Sequence, residues 1–369
     1  MWINEAVIWI LVFFMVIGAI DRIRGNKKGY GKAFEEGFSA MGPIALAMVG
    51  IISISPVLAE LLRPVVTPIF SLIGADPAMF PGMLLAIDMG GYSLAIELAQ
   101  TEMAAQFAGI IVATLLGPTF VFTIPVALSL IERKDETIFA KGILVGIIPI
   151  PIGALIGGMI AGFPISFLLL QLIPLTIFSL VIIGGLVFFQ KQMIKLFVLV
   201  GKVVVIIITI ALALSIIEAL TGLSVIPGMT PLSEGIYIVG IIAIALAGAF
   251  PLVHFLKKSL KPVLKPISKK IEISELALIG LISSLAHSIP MFKFLSSMDE
   301  KGKLLNIAFA VSGAFVLGGH LGFTASVEQN LIFPMMMGKI VAGCLAVLIA
   351  FYVASRNVSL TTKKGVLKS

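Results

Sequence analysis

Seven apolar runs, each long enough to cross a lipid bilayer, constrain this chain before any motif is read. Residues 3–20, 41–62, 143–160, 163–189, 203–220, 236–256 and 332–354 are nearly free of charge. A helix needs roughly 20 such residues to span the hydrocarbon core. Soluble domains carry about a quarter charged residues, whereas this chain is 59% apolar and 12% charged. The expected fold class is an all-α polytopic membrane protein with about 9–11 membrane segments, since only helices and closed barrels satisfy the backbone in lipid. A transmembrane barrel would show short alternating segments, which are absent.

Composition narrows the function classes further. A single cysteine, Cys344, leaves no internal disulfide and no cysteine-rich metal site. The net charge of +7 is concentrated at the ends of the apolar runs, where it sets orientation rather than nucleic-acid binding. Glu5 and the lack of early basic residues do not fit a signal peptide, so the first run is read as a retained helix.

The chain also resembles itself. Shifted by 198, residues 36–69 align without a gap on 234–267, and 13 of these 34 positions are identical. Leucine and isoleucine matches mean little in so apolar a chain. The informative pairs are Glu36/Glu234, Gly37/Gly235, Gly42/Gly240, Gly50/Gly248, Pro64/Pro262 and Pro68/Pro266. Further on, "GPTFVFTIP" at 117–125 resembles "GGHLGFTAS" at 318–326. Basic residues precede the first copy of the matched helix ("DRIRGNKKGYGK") but follow the second ("KKSLKPVLKPISKK"). By the positive-inside rule the two copies run in opposite directions, the pattern of an inverted-topology repeat. The expected units are 1–161, a connecting helix and cytoplasmic loop at 162–196, and 197–369.

Expected cytoplasmic stretches are 21–32, 132–141, 190–202, 257–270, 293–303 and 356–369, which puts the N-terminus outside and the C-terminus inside. The parity of crossings between them closes only if 77–100 and 272–297 enter the membrane and turn back. Two broken or re-entrant elements in corresponding places point to a binding site at the repeat interface.

The first of these elements holds "LLAIDMGGYSLAIEL" at 84–98. An ionised carboxylate in hydrocarbon costs a few kcal/mol even on lenient scales, so Asp88 needs a partner or an aqueous cavity. Gly90 and Gly91 beside it suit an unwound backbone. Asp88 therefore reads as the charge that meets a cationic solute; the competing reading is a solvated cap for the helix starting near Gly91. Tyr92 offers an aromatic face to an ammonium group, or else belongs to an interfacial belt. Glu97 would draw cations inward. In the second element His287, next to Ser288 and near Pro290, falls close to the place of Asp88. It is suited to bond a hydroxyl or carry a proton, a structural histidine being the alternative. His320 sits beside glycines in an apolar run, and Thr119, near Thr123, occupies its matched position. Lys339 and Lys293 are the only basic side chains near spans that would suit an anionic solute.

At "LLAIDMGGYSLAIELA", "GPTFVFTIPVAL" and "GGHLGFTASVEQNLIFPMMMGK" the sequence resembles the ethanolamine permease family of bacterial ethanolamine-utilisation operons, as do "INEAVIWILVFFMVIGAIDRI" and "EEGFSAMGPIALAMVGIISISPVLAELLRPVV". The resemblance covers almost the whole chain. It implies import of ethanolamine across the bacterial cytoplasmic membrane, whereas the residues alone imply only a small polar or cationic solute. No cofactor or metal is implied, and a coupling proton or sodium ion stays open. The partners are the solute and the lipid bilayer, with homo-oligomerisation open and nucleic acid excluded. A transporter for another small solute and a passive channel stay as rival readings. An intramembrane enzyme is disfavoured, because no H-E-x-x-H, nucleophile motif or metal-ligand spacing is present.

Overall fold

In hydrocarbon every backbone N–H and C=O must be paired within the protein, and a helix does this inside one segment. The computed structural model describes residues 2–366, with side chains as far as residue 355; it is built of helices, and no strand occurs among those residues. The side chains of the expected cytoplasmic stretch 356–369 lie outside this description. The chain opens with α1 (Trp2–Ile23), a short amphipathic α2 (Tyr30–Ser39) and the long α3 (Met41–Leu72). The Asp21 carboxylate ties the α1–α2 turn by accepting the N–H groups of Lys28 and Gly31, each at 3.0 Å. Next come two helices too short to cross, α4 (Met79–Leu84) and α5 (Gly91–Leu98). Then α6 (Glu102–Gln106), a π-helical stretch at Phe107–Val112, α7 (Ala113–Leu115), a second π-helical stretch at Thr119–Thr123, and α8 (Ile124–Leu130) form one interrupted crossing.

The helices α9 (Glu136–Ile147), α10 (Ile150–Ile160), α11 (Ile165–Phe188), α12 (Gln190–Thr221) and α13 (Leu232–Ile271) follow. A second pair of short helices, α14 (Glu275–Ala286) and α15 (Ile289–Lys293), precedes the broken α16 (Glu300–Ser312) and α17 (Gly319–Val327), and α18 (Ile332–Val366) closes the order. Among the described residues, eight helical stretches are long and apolar enough to cross a membrane. The protein is thus an all-α polytopic membrane protein.

Two of the expected cytoplasmic stretches are helical. Only Phe189 separates α11 from α12, so 190–202 forms the first turns of α12 and carries Lys191, Lys195 and Lys202. Lysine is a good helix former, and no proline interrupts this stretch. The unit boundary expected at residue 197 falls inside this helix, which begins at Gln190. Likewise the 40 residues of α13 extend for about 60 Å at 1.5 Å per residue, twice the hydrocarbon thickness, so the lysines of 257–270 ride on a projecting helix.

The order of elements occurs twice: α1, α2–α3, α4/α5, α6–α8 and α9–α10, then α12, α13, α14/α15, α16–α17 and α18, with α11 between. The two series pack by exchange, α3 against α12 and α13 against α1. Close approaches also recur. A Cβ on Gly117 would stand 1.9 Å from the Leu85 carbonyl oxygen, and one on Gly318 would stand 1.9 Å from that of Ala286. Each glycine lets one broken crossing lie directly on the backbone of the neighbouring short-helix pair. Gly117→Val or Gly318→Val is expected to cost about 3 kcal/mol or more, since overpacking against backbone leaves nothing able to yield. Thermal unfolding in detergent checks this, and an unchanged midpoint would show that these contacts are loose.

Candidate functional site

Four interruptions of the helices meet around one cavity of about 340 Å³. The α4–α5 break contributes Ala86 and Asp88; the α7–α8 break, Pro118 and Phe122; the α14–α15 break, Ala286, His287 and Ile289; and the α16–α17 break, Phe315, Gly319 and His320. Helices α3 (Ile44, Met48) and α13 (Ile242, Leu246, Phe250) complete the walls. Irregular backbone at membrane depth is tolerated where it lines such a space.

Asp88 sits in a 3-10 turn, Ile87–Met89, after two residues of extended chain. Gly90 follows at φ 99°, a left-handed conformation that bulkier residues avoid, and α5 then starts at Gly91. Asp88 is the sole acidic side chain on the cavity wall, and among the described residues it has no ion pair and no side-chain hydrogen-bond partner. Opposite, His287 ends α14 in an extended conformation. Its Nδ1 accepts the Ile289 N–H at 3.2 Å. The neutral ring then carries its proton on Nε2, which is left as a donor.

Phe315 connects the aromatic part of the wall. Its ring centroid lies 5.2 Å from that of His287, 5.0 Å from His320 and 5.5 Å from Phe122. It holds φ 66°, which is strained for a bulky side chain and persists only where the surroundings enforce it. The enforcement is visible: Phe315 N–H donates to the Ser284 carbonyl at 2.9 Å and Leu317 N–H to that of Leu285 at 2.8 Å, lacing one break to the next.

Behind the wall lies Lys339 of α18, 1% exposed. Its Nζ donates to the backbone carbonyl of Thr114. In an unbroken helix that carbonyl would be bonded by the N–H of residue 118, but residue 118 is proline and has none. Lys339 therefore satisfies the group that the chain break leaves open.

Of the residues singled out in the sequence, the structure brings Asp88, His287 and His320 onto one wall. Thr119, Thr123 and Ser288 stand just behind it, each with a buried hydroxyl that has no partner among the described residues; Nδ1 of His320 is in the same state. Such groups are rare in folded proteins, and here they gather around the breaks. Gly90 and Gly91 shape the first break without lining the cavity. Tyr92 and Glu97 lie apart from it. The Tyr92 hydroxyl donates to Glu328 at 3.2 Å, Gln106 reaches the same carboxylate at 3.3 Å, and the Tyr92 ring packs on Phe323. Glu97 lies in the last turn of α5, where its backbone carbonyl accepts from Arg63.

A second cavity of about 340 Å³ shares Phe250, Ala286, His287 and Ile289 with the first. It leads toward the basic end of the molecule, past Ala33, Glu36, His254 and Lys257.

Fold and site together define a polytopic helical membrane protein with a largely apolar cavity, carrying one carboxylate and two histidines, built from broken helices. The model of the family described as "Ethanolamine utilisation protein, EutH" matches residues 3–353, and the chain belongs to that family. It is 53% identical to the "Probable ethanolamine permease EutH" of Listeria monocytogenes, over 96% of this chain and 95% of that one. It is 39% identical to the Escherichia coli protein of the same name, over 98% of each. It is also 48% identical to the uncharacterised protein YxeR of Bacillus subtilis, over 94% of each. No solved structure matches the chain.

Proposed function

We propose that the protein is a permease that brings ethanolamine, a small protonated amino alcohol, into the bacterial cytoplasm by alternating access between two inverted repeats. The observation that carries this reading is Asp88, a lone acid without a side-chain partner, facing an aromatic wall where four chain breaks meet. Membership of the EutH family and the names of the relatives supply the solute. The ammonium group pairs with Asp88 and lies against the faces of Phe122 and Phe315, as cation–π recognition favours. Nε2–H of His287 donates to the hydroxyl oxygen. A solute of so few heavy atoms fits with water to spare, each water taking about 30 Å³.

The recurring element order, the exchanged packing of α3 on α12 and α13 on α1, and the paired Gly117 and Gly318 contacts support the repeat. The basic ends face the cytoplasm by the positive-inside rule. In this orientation the second cavity is the exit toward the cytoplasm, and the Tyr92–Glu328–Gln106 cluster closes the outer side.

The test is transport by the purified protein in liposomes. Labelled ethanolamine is expected to enter vesicles preloaded with unlabelled ethanolamine faster than empty ones, and imposed proton or sodium gradients would identify a coupling ion. Entry indifferent to preloading would replace the carrier with a channel; no entry would remove ethanolamine as the solute. Topology is checked separately in a Cys344→Ser background. A cysteine at Thr101 is expected to react with an impermeant reagent in intact cells, and one at Ser296 only after permeabilisation. Reaction of Thr101→Cys from the cytoplasmic side alone would defeat the re-entrant arrangement.

A further inference from the structure

We propose that the groove between α1 and α13 binds one anionic phospholipid, whose phosphate is met by Arg24, Lys27 and Lys28 and whose acyl chain lies against the aromatic and branched side chains of the two helices. The inference is independent of the solute carried in the central cavity.

The groove encloses about 860 Å³, more than either cavity described above. Its apolar part is formed by Phe13, Phe14, Ile17 and Ile20 of α1 and by Phe255 of α13. Phe14 is buried, and its ring centroid lies 5.2 Å from that of Phe255, so aromatic contact joins the two helices within the groove. Phe13, Ile20 and Phe255 are exposed. From Phe13 to Ile20, α1 advances about 10 Å at 1.5 Å per residue, which fits inside the roughly 15 Å of hydrocarbon in one leaflet. Lipid tails are as apolar as leucine, so an apolar groove by itself would not prefer one phospholipid to another.

The selecting feature is the charged end. Past Ile20 the turn to α2 carries Arg24, Lys27 and Lys28, and all three line the same groove. Arg22 pairs with Glu35 at 2.9 Å, whereas these three have no ion pair among the described residues. The single acid of the lining, Asp21, is 6% exposed, and its oxygens already accept the N–H groups of Lys28 and Gly31. Three cations therefore face one engaged carboxylate, a surplus that suits a phosphodiester.

The turn is also held in place. Nε2 of His254, on α13, lies 3.1 Å from the Lys28 carbonyl oxygen, and the Tyr30 ring packs edge-on against the His254 ring at 4.8 Å. The cations are thus presented from a fixed turn tied to both helices. A basic pocket between membrane helices, continuous with an apolar surface, is the arrangement that holds an anionic head group and its tail together.

The experiment is native mass spectrometry of the purified full-length protein in detergent, titrated with phosphatidylglycerol or phosphatidylcholine of equal chain length. Wild type is expected to bind one phosphatidylglycerol more tightly than any further copy and more tightly than phosphatidylcholine. In Arg24→Gln/Lys27→Gln/Lys28→Gln the affinity for that phosphatidylglycerol is expected to fall at least about tenfold, with phosphatidylcholine unchanged. Lys265→Gln/Lys269→Gln/Lys270→Gln, which removes as much charge from the projecting end of α13, is expected to keep it. Equal binding of the two lipids by wild type, or equal losses in the two triple variants, overturns the proposal. Millimolar inorganic phosphate is expected to leave the lipid bound; its displacement would make the site an anion-binding turn without a lipid and overturn the proposal as well. Ile17→Trp fills the groove and keeps every charge, so it decides the matter even if the first triple variant does not fold. Its affinity for phosphatidylglycerol is expected to fall about fourfold or more, as loss of one buried methylene would give. Unchanged affinity in that variant would place the acyl chain outside the groove and overturn the assignment.

Discussion

Asp88→Asn is expected to abolish ethanolamine uptake while leaving the amount and the dispersity of the membrane protein unchanged. An ammonium group that leaves water for a cavity of aromatic rings and aliphatic side chains loses strong hydration. A carboxylate restores it; a neutral amide does so only weakly. Removing one partner of a desolvated charge pair costs about 2–5 kcal/mol, or roughly 30-fold to several-thousand-fold in affinity. The substitution is nearly isosteric, and no side chain depends on the Asp88 carboxylate for a hydrogen bond among the described residues. The fold of the Ile87–Met89 turn rests on Gly90 and on backbone bonds from Met89 and Gly91 to the Ala86 carbonyl, which the variant keeps. Uptake by vesicles containing Asp88→Asn, compared at equal protein with wild type, is the measurement. Wild-type uptake at low solute concentration would place the recognition of the ammonium elsewhere.

The largest loss of stability without a direct effect on the solute is expected from Lys303→Met. Lys303 of α16 reaches across to Asp135, just before α9, at 2.8 Å, and both side chains are buried. Its second bond, to Glu300 at the same distance, lies at an exposed carboxylate and contributes little. Breaking a buried pair from one side leaves an uncompensated charge and costs about 3–5 kcal/mol, although the intact pair adds little net stability over an apolar isostere. The single variant should therefore unfold at a markedly lower temperature, and Asp135→Asn/Lys303→Met should regain most of the loss. A thermal midpoint for Lys303→Met within experimental error of wild type would show that water reaches Asp135. The pair also joins the helix before the His320 break to the helix after the Pro118 crossing.

Several site residues were legible because a bilayer makes polarity expensive. Asp88, His287 and His320 each stand beside glycine or proline inside an apolar run, and such residues persist only with a function or a partner. The rings that face them were not legible. Phe122 and Phe315 are two of 25 phenylalanines in a chain where apolar residues carry little information. Phe315 matters through its left-handed backbone and its place between two histidines, neither of which has a local signature. Tyr92 has the opposite history: its position beside Asp88 in sequence suggested the cavity, but α5 turns its hydroxyl to Glu328. Spacing along a broken helix does not show which way the chain leaves the break. The stretch 190–202, expected at the cytoplasmic side from its lysines, is helical, because positive charge marks the side of a membrane and does not interrupt a helix.

What the amino-acid order determined by itself is the solvent and the plan. Unbroken apolar runs admit only membrane-spanning helices, and isolated polar residues beside glycine and proline mark where they break. Which breaks face one another was decided only in three dimensions. Lys339 bonds a carbonyl 225 positions away in the chain, orphaned by a proline in another crossing, and Asp88 and His287 line one cavity from two separate helix pairs. The physical reason is that a buried polar group must find a partner wherever packing provides one. In a chain of interchangeable apolar surfaces, close approaches such as those at Gly117 and Gly318, rather than local pattern, select which partner that is.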